Sequence, residues 1–221
     1  MLAYQFRLYP NKEEEGKLFW TKEICRQTYN RFLELYNGGE HDHGTLQAML
    51  PVWKETEKDL EKVYSKVLQY ELYQLFSNIA ALRQMRKNGR KVGHPRFKGE
   101  RWFKTFTYNQ SGFKLLPKND KFGFLHLSKI GDIPIRLHRQ IVGTIKGVTI
   151  KHLPSGKWYA YISVDDGKGE PKMTVIENAV GLDVGLEHYT VDSNGDEVEN
   201  PRFLKKGLKK LRREQRRLSK C

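Results

Sequence analysis

Residues Ala179-Val180-Gly181-Leu182-Asp183-Val184-Gly185-Leu186 place one carboxylate at the end of an apolar run, between two glycines. Glycine has no Cβ, so a ligand can come close to the backbone there. The octapeptide therefore reads as a strand that offers Asp183 to a metal ion or a phosphate, although an Asp in a β-bulge or turn would have the same local sequence. Its surroundings carry the reading further. Val175 to Leu182 and His188 to Asp192 read as strands, Ser193, Asn194 and Gly195 as a turn into a third strand near Val198, and Phe203 to Ser219 as a basic helix. Asp192, Asp196, Glu197 and Glu199 fall in or around that hairpin turn, where carboxylates serve local hydrogen bonds, and they are read as solvated.

Upstream, the strand signal continues. Phe122 to Leu127, Ile133 to Leu137, Gly147 to His152 and Trp158 to Val164 alternate or run β-branched, with Pro154, Ser155 and Gly156 turning the last pair. These predict a small antiparallel barrel or sheet, and Gly167 to Pro171 a linker or loop after it. Before the strands lies a basic stretch, Arg90, Lys91, Arg96, Lys98, Arg101 and Lys104, interleaved with Phe97, Trp102, Phe103 and Phe106. Helical spacing governs the region before that. Asn11 with Glu14 forms a capping-box signature, and Leu18, Phe19, Ile24, Tyr29, Phe32, Leu33 and Tyr36 recur for about seven turns, to Asn37-Gly38-Gly39. A short helix is expected from Thr45 to near Pro51. A clearer one follows Ser65, with Val67, Leu68, Leu72, Leu75, Phe76, Ile79 and Leu82 as its stripe and Asn88-Gly89 as its stop. At the start, Leu2, Tyr4, Phe6 and Leu8 share one side of a strand that Pro10 closes.

Composition narrows the partners. The chain has 221 residues, with 40 Lys and Arg against 26 Asp and Glu and a formal net charge of +14. A cation surplus opposes compaction, so it is better explained by an acidic partner, with nucleic acid ahead of an anionic membrane surface. No stretch approaches the roughly 20 apolar residues of a bilayer span. A soluble, cytoplasmic protein without membrane contact is expected. With only Cys25 and Cys221, a disulfide framework or a four-ligand zinc site within the chain is excluded. His41 and His43 lack a third ligand and are read as loop residues. Lys205, Lys206, Lys209, Lys210, Arg212, Arg213, Arg216 and Arg217 have only Glu214 among them, an imbalance that favours phosphate contact. Trp53, Trp102 and Trp158 suggest core or barrel packing, with base stacking an alternative for Trp102 or Phe103 only. Tyr29, Asn30 and Arg31 invite comparison with helix-turn-helix readers, but no recognition helix is found.

Six collinear pieces carry a resemblance: YQFRLYP (Tyr4 to Pro10), CRQTYNRFLELYN (Cys25 to Asn37), VGHPRFKG (Val92 to Gly99), SGKWYAYISV (Ser155 to Val164), GLDVGLEHYTVDSNGDEVENP (Gly181 to Pro201) and QRRLSK (Gln215 to Lys220). Together they resemble the TnpB (OrfB) family of insertion-sequence proteins, with His94 departing from the apolar residue more usual there. The resemblance implies an α+β fold. A helical recognition lobe (residues 11–89) is inserted between the first strand (1–10) and the rest of a wedge-like antiparallel barrel (90–170), and a RuvC-like nuclease domain begins at 171–221. It implies an RNA-guided DNA endonuclease that uses Mg²⁺, with guide RNA and target DNA as partners and Asp183 as a catalytic metal ligand. The family's further Glu and Asp ligands and its four-cysteine zinc element lie beyond Cys221, so the expectation is a truncated chain that binds nucleic acid without cutting it. The alternative is a nuclease-inactive RNA- or DNA-binding regulator derived from such a protein.

Overall fold

Asn11 sets the boundary between the first strand, β1 (Leu2–Leu8), and the first helix, α1 (Lys12–Asn37). Its side chain accepts from the Glu14 amide at 2.9 Å, and the Glu14 carboxylate accepts from the Asn11 amide at 2.8 Å. Two of the helix's orphan N–H groups are thus satisfied, as the capping-box signature predicts. The computed structural model describes residues 1–119, 121–169 and 179–219. It divides into two units, Met1–Gly169 and Glu170–Cys221.

In the first unit, α1 is followed by α2 (His43–Thr56), a 3-10 turn at Lys58–Lys62 and α3 (Ser65–Lys87). The second helix runs past its expected end, because Pro51 sits on the exposed side while Leu46, Leu50 and Trp53 are buried at helical spacing on the other. Proline removes one donor there, and packing holds the helix through it. Six strands follow: β2 (Thr105–Asn109), β3 (Phe113–Pro117), β4 (Phe122–Leu127), β5 (Gly131–Arg136), β6 (Thr144–His152) and β7 (Trp158–Asp165). With β1 they form one antiparallel sheet in the order β2-β6-β7-β1-β5-β4-β3, curled into a half-barrel. β1 is the seam: it pairs with β7 along its whole length and with β5 at its end. Two strands, β2 and β3, were not expected from the sequence.

Alternation then defines the core. Phe6, Leu8, Phe106, Tyr108, Leu125, Leu127, Ile133, Ile135, Val148, Ile150, Trp158, Ala160, Ile162 and Val164 turn inward, where Leu18, Phe32, Leu33, Leu68, Leu72 and Leu75 from the helices join them. Each such burial contributes about 1.5–3 kcal/mol before entropy is charged against it. Trp53 and Trp158 are in this core, and Trp158 Nε1 donates to Glu15 at 3.1 Å. Cys25 is buried, while Cys221 lies outside the described residues. His41 lies in an exposed loop as read, whereas His43 is the first residue of α2; their rings pack 4.4 Å from Tyr36 and 5.0 Å from Phe76.

The second unit contains β8 (Leu182–Asp183), β9 (His188–Asp192) and β10 (Glu197–Glu199), an antiparallel meander in the order β10-β9-β8, and then α4 (Phe203–Leu218). The apolar strand expected from Val175 falls for its first part, 175–178, outside the described residues, as does the end of the expected linker. Among the described residues of this unit no apolar side chain is buried, and Leu182, Val184, Leu186, Leu204 and Leu218 are all more than half exposed.

Candidate nucleic-acid interface

The basic stretch between α3 and β2 has no regular structure over 90–98, and two side chains of α1 fix its course. Asn30 accepts from the Lys98 amide at 2.7 Å and donates to the Lys98 carbonyl at 3.0 Å, while Arg26 donates to the same carbonyl at 3.0 Å. This two-way amide contact substitutes for a missing strand partner. A turn then reverses the chain, with the Trp102 and Phe103 amides both donating to the Gly99 carbonyl. Phe103 is buried by that turn, while Trp102, expected in the core or barrel, is left 81% exposed because the turn points it away from the sheet. Lys104 leads directly into β2.

Behind this loop is a cavity of about 200 Å³, lined by Tyr29 of α1, Tyr70, Glu71, Gln74 and Asn78 of α3, Lys98, Trp102 and Lys104 of the loop, and Thr105 and Thr107 of β2 among others. Lys98 Nζ lies 5.7 Å from the centroid of the Tyr29 ring. Asn78 donates to the Tyr29 hydroxyl at 3.4 Å. Burial raises the hydroxyl pKa of both Tyr29 and Tyr70, and it raises the Glu71 carboxyl well above the ordinary carboxylate range. The Cys25 thiol is pushed up by burial and then by Glu71. In each case burial favours the neutral form. Lys98 and Lys104 bring cations to the cavity, beside hydroxyl and amide groups suited to polar ring edges.

Of the residues expected to contact nucleic acid here, the structure brings together the basic Lys98 and Lys104 and the aromatic Trp102. Arg90, Lys91, Arg96 and Arg101 are exposed nearby on the same loop and do not line the cavity. Tyr70, Gln74, Asn78 and the anchor Asn30 were missed, because helical residues of mixed polarity give no periodic signal. In the second unit, Lys205, Lys209, Arg212, Arg213, Arg216 and Arg217 line one groove along α4, with Lys206 and Lys210 outside it. Leu204, Leu208, Leu211 and Leu218 are exposed on the same helix.

Asp183 ends β8 and is exposed, opposite Val191, which is itself opposite Glu197. Asp183 and Glu197 thus share one face of the meander, two strands apart, or about 9–10 Å by strand spacing. The Ser193 hydroxyl and amide tie back to Gly181 at 3.1 and 2.8 Å. Asp192 accepts from the amides of Asn194 and Asp196 at 2.8 Å, which is the local turn role read for it. Glu197 and Glu199 belong to β10 instead of the turn. Among the described residues, no group of three or more His, Cys, Asp or Glu side chains is close enough to hold a metal ion. Asp183 stands there as a single exposed carboxylate, and a two-ion Mg²⁺ arrangement does not fit the described residues alone. No helix among them is long and apolar enough to cross a membrane.

Two family models match the chain. One, of the OrfB_IS605 kind and described as "Probable transposase", covers residues 161–221; the other, described as "Helix-turn-helix domain", covers 1–38. Residues 1–38 here are a strand and one uninterrupted 26-residue helix. Among curated proteins, "Putative RNA-guided DNA endonuclease InsQ" of Escherichia coli (strain K12) is 31% identical over 225 residues, covering 98% of this chain and 53% of that protein. The chain thus spans about half the length of the curated relative it matches.

Proposed function

Because the chain belongs to the TnpB/OrfB family of IS605-type, transposase-associated RuvC-like nucleases, we propose that it acts in RNA-guided cleavage of DNA. In this reading, residues 11–89 and 90–170 hold guide RNA and target DNA, and 171–221 begin the nuclease domain. The observation that carries the binding half is the cluster of Lys98, Trp102 and Lys104 around a polar cavity on a loop fixed by Asn30. Cations there would meet phosphates, and Trp102 offers a face to an unpaired base. Arg90, Lys91, Arg96 and Arg101 extend the positive field along the loop, and the α4 cations contribute a second basic surface. Asp183 would be one ligand of a catalytic Mg²⁺, whose chemistry is to stabilise charge on the attacking and leaving oxygens. Guide pairing would read the target, leaving the protein to hold backbones.

The binding test uses the 221-residue chain and a labelled RNA hairpin across a salt series. Replacing Arg96, Lys98 and Arg101 together by Gln is expected to lower affinity and flatten the log–log salt slope by about 0.9 for each duplex phosphate that is no longer neutralised. The melting temperature should hold, since Lys98 is anchored through its backbone. Salt-insensitive binding, or none, would overturn the binding reading. Cleavage is measured on a chain extended to the length of its relative. Guide-dependent binding without any cutting there would favour the nuclease-inactive regulator.

A further inference from the structure

The register of the large sheet sets five residues in a single lateral row. Lys151 is opposite Tyr159, Tyr159 opposite Arg7, Arg7 opposite Arg136, and Arg136 opposite Phe122, across β6, β7, β1, β5 and β4. Their strand neighbours Ile150, Trp158, Ala160, Phe6, Leu8 and Ile135 are buried in the core. Alternation therefore puts the row on the other face of the sheet. That face has cations and rings interleaved: the Arg7 guanidinium lies 4.9 Å from the Tyr9 ring and Lys151 Nζ 5.5 Å from the Tyr161 ring.

Arg7 opposite Arg136 is the anomaly. Like charges directly across an antiparallel pair destabilise it. Among the described residues neither arginine takes part in an ion pair. Arg7 Nε is buried with no hydrogen-bond partner, a donor left without its acceptor. Arg136 also lines a cleft of about 900 Å³ with Lys118, Lys121, His138 and Arg139, and no carboxylate among the described residues lines it. An anion bridging the two guanidinium groups would remove the repulsion, and guanidinium forks match phosphate oxygens in shape. Phe122, half exposed, flanks the pair one strand away, at a spacing suited to a base beside its own phosphate.

We propose that this outer face is a track for single-stranded nucleic acid, in which Arg7 and Arg136 share one backbone phosphate and Phe122 stacks a base. At its β6 end the row meets Thr105 of β2, which lines the cavity behind the basic loop, and the track rests on the nucleic-acid reading of the protein. Recognition is of phosphate and ring face, so RNA and DNA single strands bind alike.

The test uses the 221-residue chain with labelled oligouridylate and oligodeoxythymidylate of about a dozen nucleotides, within the footprint of one such sheet. Both are expected to bind with similar affinity. Arg7→Gln with Arg136→Gln should flatten the salt slope by about 0.7, the value for one single-strand phosphate. Phe122→Ala should weaken binding about tenfold with the slope unchanged. Arg136→Gln alone should melt no lower than the parent, because a repulsion has gone. An unchanged slope in the double variant, a melting temperature that falls instead, or displacement by inorganic phosphate at equal phosphate concentration would each overturn the track. If the triple Gln variant of the basic loop loses hairpin binding while the arginine variants keep single-strand binding, the track fails and the proposed function stands. If the parent binds neither hairpin nor single strand, both fail.

Discussion

Asn30→Ala would release the basic loop without touching a single charge. Asn30 makes two hydrogen bonds to the Lys98 backbone, at 2.7 and 3.0 Å, in a partly buried setting. At about 1 kcal/mol each, their removal costs about 2 kcal/mol of local stability, or roughly a thirtyfold rise in the open population of the loop at a factor of ten per 1.4 kcal/mol. Arg26 still donates to the Lys98 carbonyl, so the loop is loosened instead of detached. Amide hydrogen exchange reads this directly. The Lys98 amide should lose about thirtyfold of its protection, Trp102 and Phe103 should follow in part, and Phe32 and Leu33 in the middle of α1 should keep theirs. Hairpin affinity should fall by up to the same factor, since binding must now order the loop, while the salt slope stays constant because every cation remains. Unchanged exchange at Lys98 would refute the anchoring role. Equal loss of protection along α1 would show that Asn30 supports the helix and not the loop.

Asn11→Ala removes the side-chain half of the capping box and should lower stability by about 1 kcal/mol, seen as a shift in the denaturant midpoint with unchanged slope. Glu71 has its carboxyl pKa raised by burial, so the folded state keeps a proton that the unfolded state releases above its ordinary value of 4.5. Stability contributed by this group is therefore full below that value and declines as pH rises, by up to about 1.4 kcal/mol per pH unit until the folded group ionises. Glu71→Gln should flatten this decline in urea titrations at several pH values; an unaltered pH profile would count against a protonated Glu71. Asp183→Ala should leave both hairpin affinity and melting temperature unchanged, because the side chain is exposed, and should abolish Mg²⁺-dependent cutting in a chain extended to the length of its relative.

The elements whose period is strong were readable from the residues. α1 with its cap, α3 with its stripe, and β4 through β7 all fall within a few residues of where alternation or helical spacing puts them. β2 and β3 escaped for different reasons. Thr105–Asn109 adjoins the lysines and aromatics of the loop, which mask its alternation, and Phe113–Pro117 ends in a proline that only an edge strand tolerates. Pro51 misled in the opposite sense, since tertiary packing of Leu50 and Trp53 outweighs one missing donor. At the candidate interface, charge alone marked the loop, but not which of its cations converge. That depends on Asn30, 68 positions away, whose contact with Lys98 no local pattern encodes. The Arg7–Arg136 row was equally hidden, because it exists only through the register of β1 against β5.

In the proposed reading, binding and cutting are separable for a physical reason. The loop cavity and the arginine row both stand on the first unit, whose strands and helices bury a common apolar core from Phe6 to Val164 and so hold their polar groups in fixed positions without help from a ligand. Asp183 stands on a two-residue strand, Leu182 and Val184 beside it are exposed, and Glu197, which the register puts on the same face, is two strands away. A magnesium–oxygen contact is about 2.1 Å and two catalytic ions sit about 4 Å apart. Carboxylates separated by about 9–10 Å at the backbone cannot fix such a pair without another element brought between them. On the proposed function, positioning of Asp183 is the step that must be coupled to assembly, whereas nucleic acid would be held before that step occurs. Affinity should accordingly be insensitive to Asp183, and cleavage should depend on whatever covers Leu182 and Val184 as strongly as on the carboxylate itself.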